Sequence, residues 1–378
     1  MSRDDALLDL PEPDRVEGAP HPRETRHLFG QAHAEADLLA AHASGRMHHA
    51  WMLTGPRGLG KATLAWRAAR FLLATPDDAG GLFAPAPPAS LDIPADDPVA
   101  RRMLALGEPR LCLIRRGPND TGKALSAVIS VDEVRKLRKF LGLSAADGGH
   151  RAVIVDAVDD MNPSAANAIL KALEEPPPRV TFFLVCHQPA RILPTIRSRC
   201  RELRLSPLGT ADMARALAQA GIQADDPAAL AELSGGSVGE AIRIAAEDGL
   251  ALYGRLVGLL GTLPRLDRPK ATALADWVAT RGASEARFDL AVRLLDLLMA
   301  RIARAAATGQ SPPEAAPGEA ALIARLAPGP DHARPWADLA QGLAARARRG
   351  RAVNLDPAAL LLDMLLRIDE TAGTLALR

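Results

Sequence analysis

A parallel α/β sheet with flanking helices, followed by a small helical module and a larger all-helical domain, is the fold class that the sequence predicts. Three observations carry it. Short apolar runs (Ala50–Leu53, Ala152–Val155 and Val180–Val185) alternate with helical stretches between roughly residues 26 and 205, the pattern of buried parallel strands joined by crossover helices. A glycine-rich turn ending in lysine, Gly55 to Lys61, connects the first run to the first strong helix. Beyond Pro207 strand-like runs stop, and helical periodicity takes over.

Bulk properties bound the rest. A chain of 378 residues exceeds one comfortable core, so two or three domains are expected. Apolar residues make up 48% of it, enough for packed interiors. Its first residues are charged, and no apolar run approaches the roughly eighteen residues of a spanning helix. The expectation is a soluble, cytoplasmic protein without membrane association. A formal charge of +1 implies no global field for polyanions, so any nucleic-acid contact must be local. The 3 cysteines, Cys112, Cys186 and Cys200, are far apart and lack CxxC spacing, which argues against a zinc cluster or a disulfide framework.

The elements follow in order. Residues 1–22 are rich in Pro, Asp, Glu and Arg without periodicity and read as a disordered tail. An α/β domain is expected over 23–205. Within it, apolar residues at helical spacing (Leu64, Ala65, Ala68, Leu72) predict a helix from Thr63 to Leu73. The Pro/Ala/Asp-rich stretch from Thr75 to Pro98 reads as a mobile loop. A helix from Pro163 to Glu175 is stopped by Pro176–Pro178. Residues 206–248 hold short helices broken at Gly235–Gly236, and 249–378 hold longer amphipathic ones, including Phe288–Ala306 and Ala358–Glu370.

The turn Gly55, Pro56, Arg57, Gly58, Leu59, Gly60, Lys61 lies between a strand and a helix, the setting that a phosphate loop requires. Its glycines let backbone N–H groups approach phosphates, and the helix N-terminus adds positive potential. Lys61 would reach the terminal phosphates. The next residue should supply a hydroxyl to Mg²⁺, yet it is Ala62; Thr63 points about 100° away around the helix. ATP binding is therefore expected to be possible, and hydrolysis is not expected.

The run Ala152–Val155 ends in Asp156, placed to orient a metal shell. A hydrolase of this kind needs a carboxylate next to it to polarise water, and the residue is Ala157. Asp159 and Asp160 read as loop residues leading into the next helix. Val128 to Glu133 resembles a second strand ending in acids, but the helical sequence after it favours a helix start, with Ser130 or Asp132 as cap.

Four segments together resemble the AAA+ clamp-loader family of bacteria, in its delta-prime branch. Leu28–Gln31 resembles its adenine-pocket element, His48–Lys61 its phosphate-loop region, Asn167–Pro177 the helix after the metal-orienting strand, and Ile196–Cys200 its Ser-Arg-Cys motif. The resemblance spans roughly residues 26–248; the later helices match only in architecture. It implies that Arg199 is an arginine finger, offered in trans to ATP on a neighbouring subunit. The alternative is a structural arginine beside a strand. Arg197 and Arg201 read as solvated or interface residues.

Departures from the family pattern matter equally. Gly239 stands where active members carry a lid arginine after Gly236–Ser237, and Arg243 is one turn further on. His187 reads as a polar strand-end residue rather than a γ-phosphate sensor. The family's four-cysteine zinc module is missing, so no zinc is expected. The resemblance then implies a non-hydrolysing subunit of the DNA polymerase III holoenzyme, without an independent activity of its own. Its implied partners are gamma/tau and delta subunits, with the sliding clamp and primer-template DNA reached through the complex, and residues 249–378 would form the oligomerisation collar. Two rivals stand beside it: an active AAA+ motor, and a plain DNA-binding module using Arg346, Arg348, Arg349 and Arg351.

Overall fold

The computed structural model describes residues 12–75, 88–119, 121, 124–142, 149–280 and 285–377. The chain divides into two compact units, 1–221 with 237–239, and 222–236 with 240–378. None of the described helices is long and apolar enough to cross a membrane.

The first unit is built on five parallel strands: β1 Ala50–Thr54, β2 Leu111–Arg115, β3 Arg151–Asp156, β4 Val180–Cys186 and β5 Arg201–Arg204. Their spatial order is β2-β3-β4-β1-β5. Around them lie α1 Ala32–Ala43, α2 Lys61–Ala74, α3 Pro98–Leu104, α4 Val131–Gly142, α5 Pro163–Glu174, α6 Pro194–Arg197 and α7 Thr210–Gln219. Strand side chains alternate between two covered faces. Trp51, Leu53, Ile154 and Phe183 pack with Leu64, Trp66 and Leu72 on one side. Met52, Val153, Val155, Phe182 and Leu184 pack with Val134, Leu137, Ile169 and Leu173 on the other. Because both faces are dry, β1, β3 and β4 read as unbroken apolar runs in the sequence.

Helix α5 shows the local logic. The Asn162 side chain accepts the Ala165 N–H at 2.8 Å, Pro163 opens the first turn, and Ala165, Ile169 and Leu173 form the buried stripe. Helix α4 begins at Val131 with Asp132 and Glu133 in its first turn, as the helix reading of that segment expects.

Several expectations are corrected. In place of the disordered tail expected over residues 1–22, the chain is ordered from residue 12 onward: His21 is fully buried, and its ring meets Trp66 edge-on at 5.9 Å. Composition alone missed this because the acids and bases of the segment neutralise one another, Glu12 with Arg23, and Asp14 with Arg115 and His21. Residues 1–11 lie outside the described residues. The stretch from Thr75 to Pro98, expected to be a mobile loop, is packed over its second half. Leu91 is buried, Asp92 pairs with Arg67 at 3.0 Å, and Asp97 caps α3; residues 76–87 lie outside the described residues.

The second unit holds α8 Pro227–Leu233, most of α9 Val238–Ala246, α10 Gly249–Leu260, α11 Arg268–Val278, α12 Glu285–Thr308, α13 Glu319–Leu326, α14 Ala333–Ala352 and α15 Pro357–Ala376. The stripes Leu290–Leu294–Leu298 and Leu360–Leu361–Met364–Leu365 fill its own core, and Leu297 is half-buried. One charge sits deep inside. Glu319 is completely buried and receives the Tyr253 hydroxyl at 2.7 Å, Arg301 Nε at 2.6 Å and the Ala315 N–H at 2.7 Å. In the arginine-rich end of α14, Arg346 and Arg351 are ion-paired with Asp363 and Asp289.

Candidate phosphate-loop site

Parallel strands bring their C-terminal ends to one edge, and the chemistry-bearing residues gather there. Thr54, the last residue of β1, is level with Cys186 of β4, while Asp156 of β3 is level with Arg115 of β2. The loop 55–60 leaves β1 at this edge and enters α2 at Lys61. Gly58 and Gly60 both hold positive φ, 78° and 90°, which costs glycine little and other residues much. A Cβ on Gly60 would also strike Leu28 Cδ1 at 2.5 Å, so the loop requires glycine there on both counts. Among the described residues, the backbone N–H groups of Gly58 and Gly60 have no protein acceptor. Open amides in a left-handed turn at a helix N-terminus form a cradle for an anion.

Lys61 is almost fully buried, and its ammonium donates to the carbonyl of Gly55 at 2.6 Å and also to that of Pro56. Burial pushes its pKa down to about 8, against the pull of Asp156 and Asp159. Asp156 is pushed up to about 7, by burial first and then by the nearby Asp14 carboxylate. Each group is held closer to neutral than usual, a state that an added polyanion and cation would reverse. Ala62 carries no hydroxyl, and the Thr63 side chain is buried in α2.

The acids beside Asp156 have other tasks. Ala157 is itself buried. Asp159 accepts the His187 N–H at 2.9 Å, and Asp160 lies 3.4 Å from Arg57 and 3.7 Å from Arg116. His187 is pushed down to about 4, by burial first and then by Lys61, so its ring is neutral at physiological pH.

Above the loop stand two residues of the same unit that sequence reading did not connect with it. The Ser237 hydroxyl donates to the Arg57 carbonyl at 2.9 Å, and the Gly239 N–H donates to Gly58 O at 3.2 Å. Both lie far along the chain, and no local signal marks the contact. Gln31, from the segment resembling an adenine pocket, is spent on Ser206: its amide donates to Ser206 O at 2.7 Å and accepts Ser206 N–H at 3.0 Å. Arg243 pairs with Glu240 at 3.3 Å on its own helix.

Arg199 lies apart from this cluster, in the turn between α6 and β5. Its guanidinium donates to Thr195 O at 2.7 Å and meets Glu174, the last residue of α5, at 2.8 Å. The side chain stays one-third exposed. Nearby, Arg201 stacks over Trp51, 4.8 Å from the ring centroid, and Arg197 is exposed.

Residues 30–209 match the family described as "DNA polymerase III, delta subunit". Over this span the chain is similar to delta-prime subunits of clamp loaders. The DNA polymerase III subunit delta' of Pseudomonas aeruginosa is 37% identical over 196 residues, 50% of this chain and 53% of that protein. The delta' subunit of Escherichia coli K12 is 31% identical over 176 residues, 45% of this chain and 46% of that protein. A gamma/tau subunit of Mycobacterium tuberculosis H37Rv is 30% identical over 292 residues, 71% of this chain and 46% of that protein. The chain thus spans about half the length of the curated relatives it matches. A solved DNA polymerase III gamma-subunit-related protein of Thermotoga maritima aligns with 89% of this chain at 17% identity and a TM-score of 0.36, too distant to carry an argument.

Proposed function

We propose that this delta-prime-type chain is a non-hydrolysing member of the DNA polymerase III clamp loader that lends Arg199 to ATP on a neighbouring subunit. The observation that carries the reading is the state of the carboxylates around Asp156. Ala157 replaces the acid that would polarise water, Asp159 is held by a backbone N–H, and Asp160 faces two arginines. Ala62 also leaves a metal without its hydroxyl ligand. The loop 55–63 with Asp156 still suits a bound nucleotide, whose phosphates would lie on the open amides and Lys61.

Arg199 fits the complementary role. A planar guanidinium can stabilise charge building on a transferring phosphoryl group, and the salt bridge to Glu174 fixes its direction while part of it remains exposed. The division into an AAA+ domain (23–205), lid (206–248) and collar (249–378) belongs to the same proposal. So do gamma/tau and delta partners, a clamp and primer-template DNA reached through them, a cytoplasmic location and the lack of zinc.

The test pairs two measurements on purified, reconstituted complexes. The chain alone should show no steady ATP turnover, with or without DNA. Arg199→Ala should assemble and melt as the parent does, yet lower hydrolysis at the neighbouring site on the order of 10³-fold or more. Turnover by the isolated chain that Lys61→Ala abolishes, or full partner activity with Arg199→Ala, would overturn the proposal.

A further inference from the structure

The phosphate loop is not bare, since the segment formed by residues 12–24 crosses its rim. Val16 comes within 3.4 Å of the position that a Cβ on Gly239 would take, and that position is itself 3.0 Å from Gly58 Cα in the loop. Pro13 O accepts Arg116 Nη2 at 3.4 Å, and Arg116 also faces Asp160, the partner of Arg57 in the loop. Asp14 Oδ1 meets Arg115 Nη1 at 2.7 Å, level in the sheet with Asp156. The Asp14 side chain is fully buried. Further on, the carbonyls of Arg23 and Arg26 accept from Arg70 and Arg67 of α2.

The segment has two halves of different character. From His21 onward it is an anchor: the imidazole is buried on Trp66, its Nδ1 accepts the Arg23 N–H at 3.0 Å, and its Nε2 lies 3.1 Å from Asp14. From Glu12 to Ala19 it is largely polar, with Arg15, Glu17 and Gly18 exposed, and Val16 offers an apolar contact toward the loop. Glu12 and Asp14 place carboxylates on Arg115 at the edge of a cradle shaped for an anion. An acidic segment paired with cations at such a rim competes for the same field as a phosphate.

We propose that residues 12–19 are a displaceable acidic strap, hinged at His21, which fills the rim of the phosphate loop and which a nucleoside diphosphate or triphosphate must lift in order to bind. This rests on the nucleotide reading of the loop given above.

The probe is a fluorescent ADP analogue with Mg²⁺, titrated against the full chain, against the chain lacking residues 1–19, and against Asp14→Ala. Removing the strap should tighten binding at least ten-fold, and Asp14→Ala about three-fold, with melting of the alanine variant confirming an intact fold should the truncated chain not fold. Trypsin gives an independent readout: saturating nucleotide should speed cleavage after Arg15 in the full chain. Equal affinities in all three proteins, or cleavage after Arg15 that nucleotide leaves unchanged or slows, would overturn the strap while leaving the nucleotide site standing. Absence of binding by every form at millimolar probe would overturn the nucleotide reading, and the strap with it.

Discussion

Two sites of buried charge, one in each unit, show how differently a fold can treat an ion. Glu319 in the helical unit is completely enclosed, and its carboxylate is met by a guanidinium, a phenol and a backbone amide. Lys61 in the α/β unit is buried and Asp156 beside it partly so, but their surroundings push both towards neutrality. The first arrangement is complete in itself and holds α10, α12 and α13 in one register. In the second, the attraction between Lys61 and the nearby acids does not offset the cost of burial, as expected of a place prepared for something that the chain does not carry. Burial of charge alone therefore does not mark a functional site; incomplete neutralisation does.

The comparison can be broken most directly at Glu319. Glu319→Ala leaves the Arg301 guanidinium buried without its main partner and should cost about 3–5 kcal/mol of stability by denaturant unfolding. Affinity for nucleotide in the other unit should not change. A loss below ~1 kcal/mol would put the two sites of buried charge in the same class.

Asp156→Asn should act in the opposite direction. The folded-state pKa of Asp156 lies above its unfolded value, so the fold holds the extra proton, and stability falls as pH climbs from about 4 to about 7. With chelator present, the asparagine variant should therefore gain on the parent between pH 5 and pH 8, by about 2 kcal/mol. A pH-independent difference would mean that Asp156 is an ordinary solvated carboxylate.

Glu174 sharpens the contrast from the surface. Its bridge to Arg199 is half-exposed at the acid, so Glu174→Ala should change melting by less than ~1 kcal/mol. If the bridge aims the guanidinium, partner ATPase should still fall about ten-fold, with Glu174→Gln recovering part of it through a neutral hydrogen bond. Equal activity in all three would reduce the pair to a surface contact.

How far the sequence revealed this depends on whether the signal was local. The phosphate loop, three central strands, α2 and α5 were legible because each carries its own periodicity, cap or spacing. Strand β2 escaped because Leu111–Arg115 is only partly buried, and β5 because Arg-Glu-Leu-Arg holds a single apolar residue. Helix α1 buries only Ala34, Leu38 and Ala41, a stripe too weak to stand out in an alanine-rich chain. At the site, Ala62 and Ala157 were visible as departures from a pattern. The closure by Ser237, the grip of Glu174 on Arg199 and the pairing of Asp14 with Arg115 join residues 180, 25 and 101 positions apart, and no local rule reports such meetings.

The outer margin of the sheet has a consequence for how the molecule behaves in a crowd. Strand β5 would offer a row of open backbone groups to any passing extended chain. The side-chain amide of Gln31 instead pairs with both backbone groups of Ser206 just beyond it, as another strand would, and the His33 ring sits 2.9 Å from the Arg204 carbonyl. Arg201, Glu202 and Arg204 add charges along the same border. A strand arriving from a misfolded neighbour would find the Arg204 carbonyl and both backbone groups of Ser206 taken and would have to bury charge to proceed, so strand addition is discouraged at this edge.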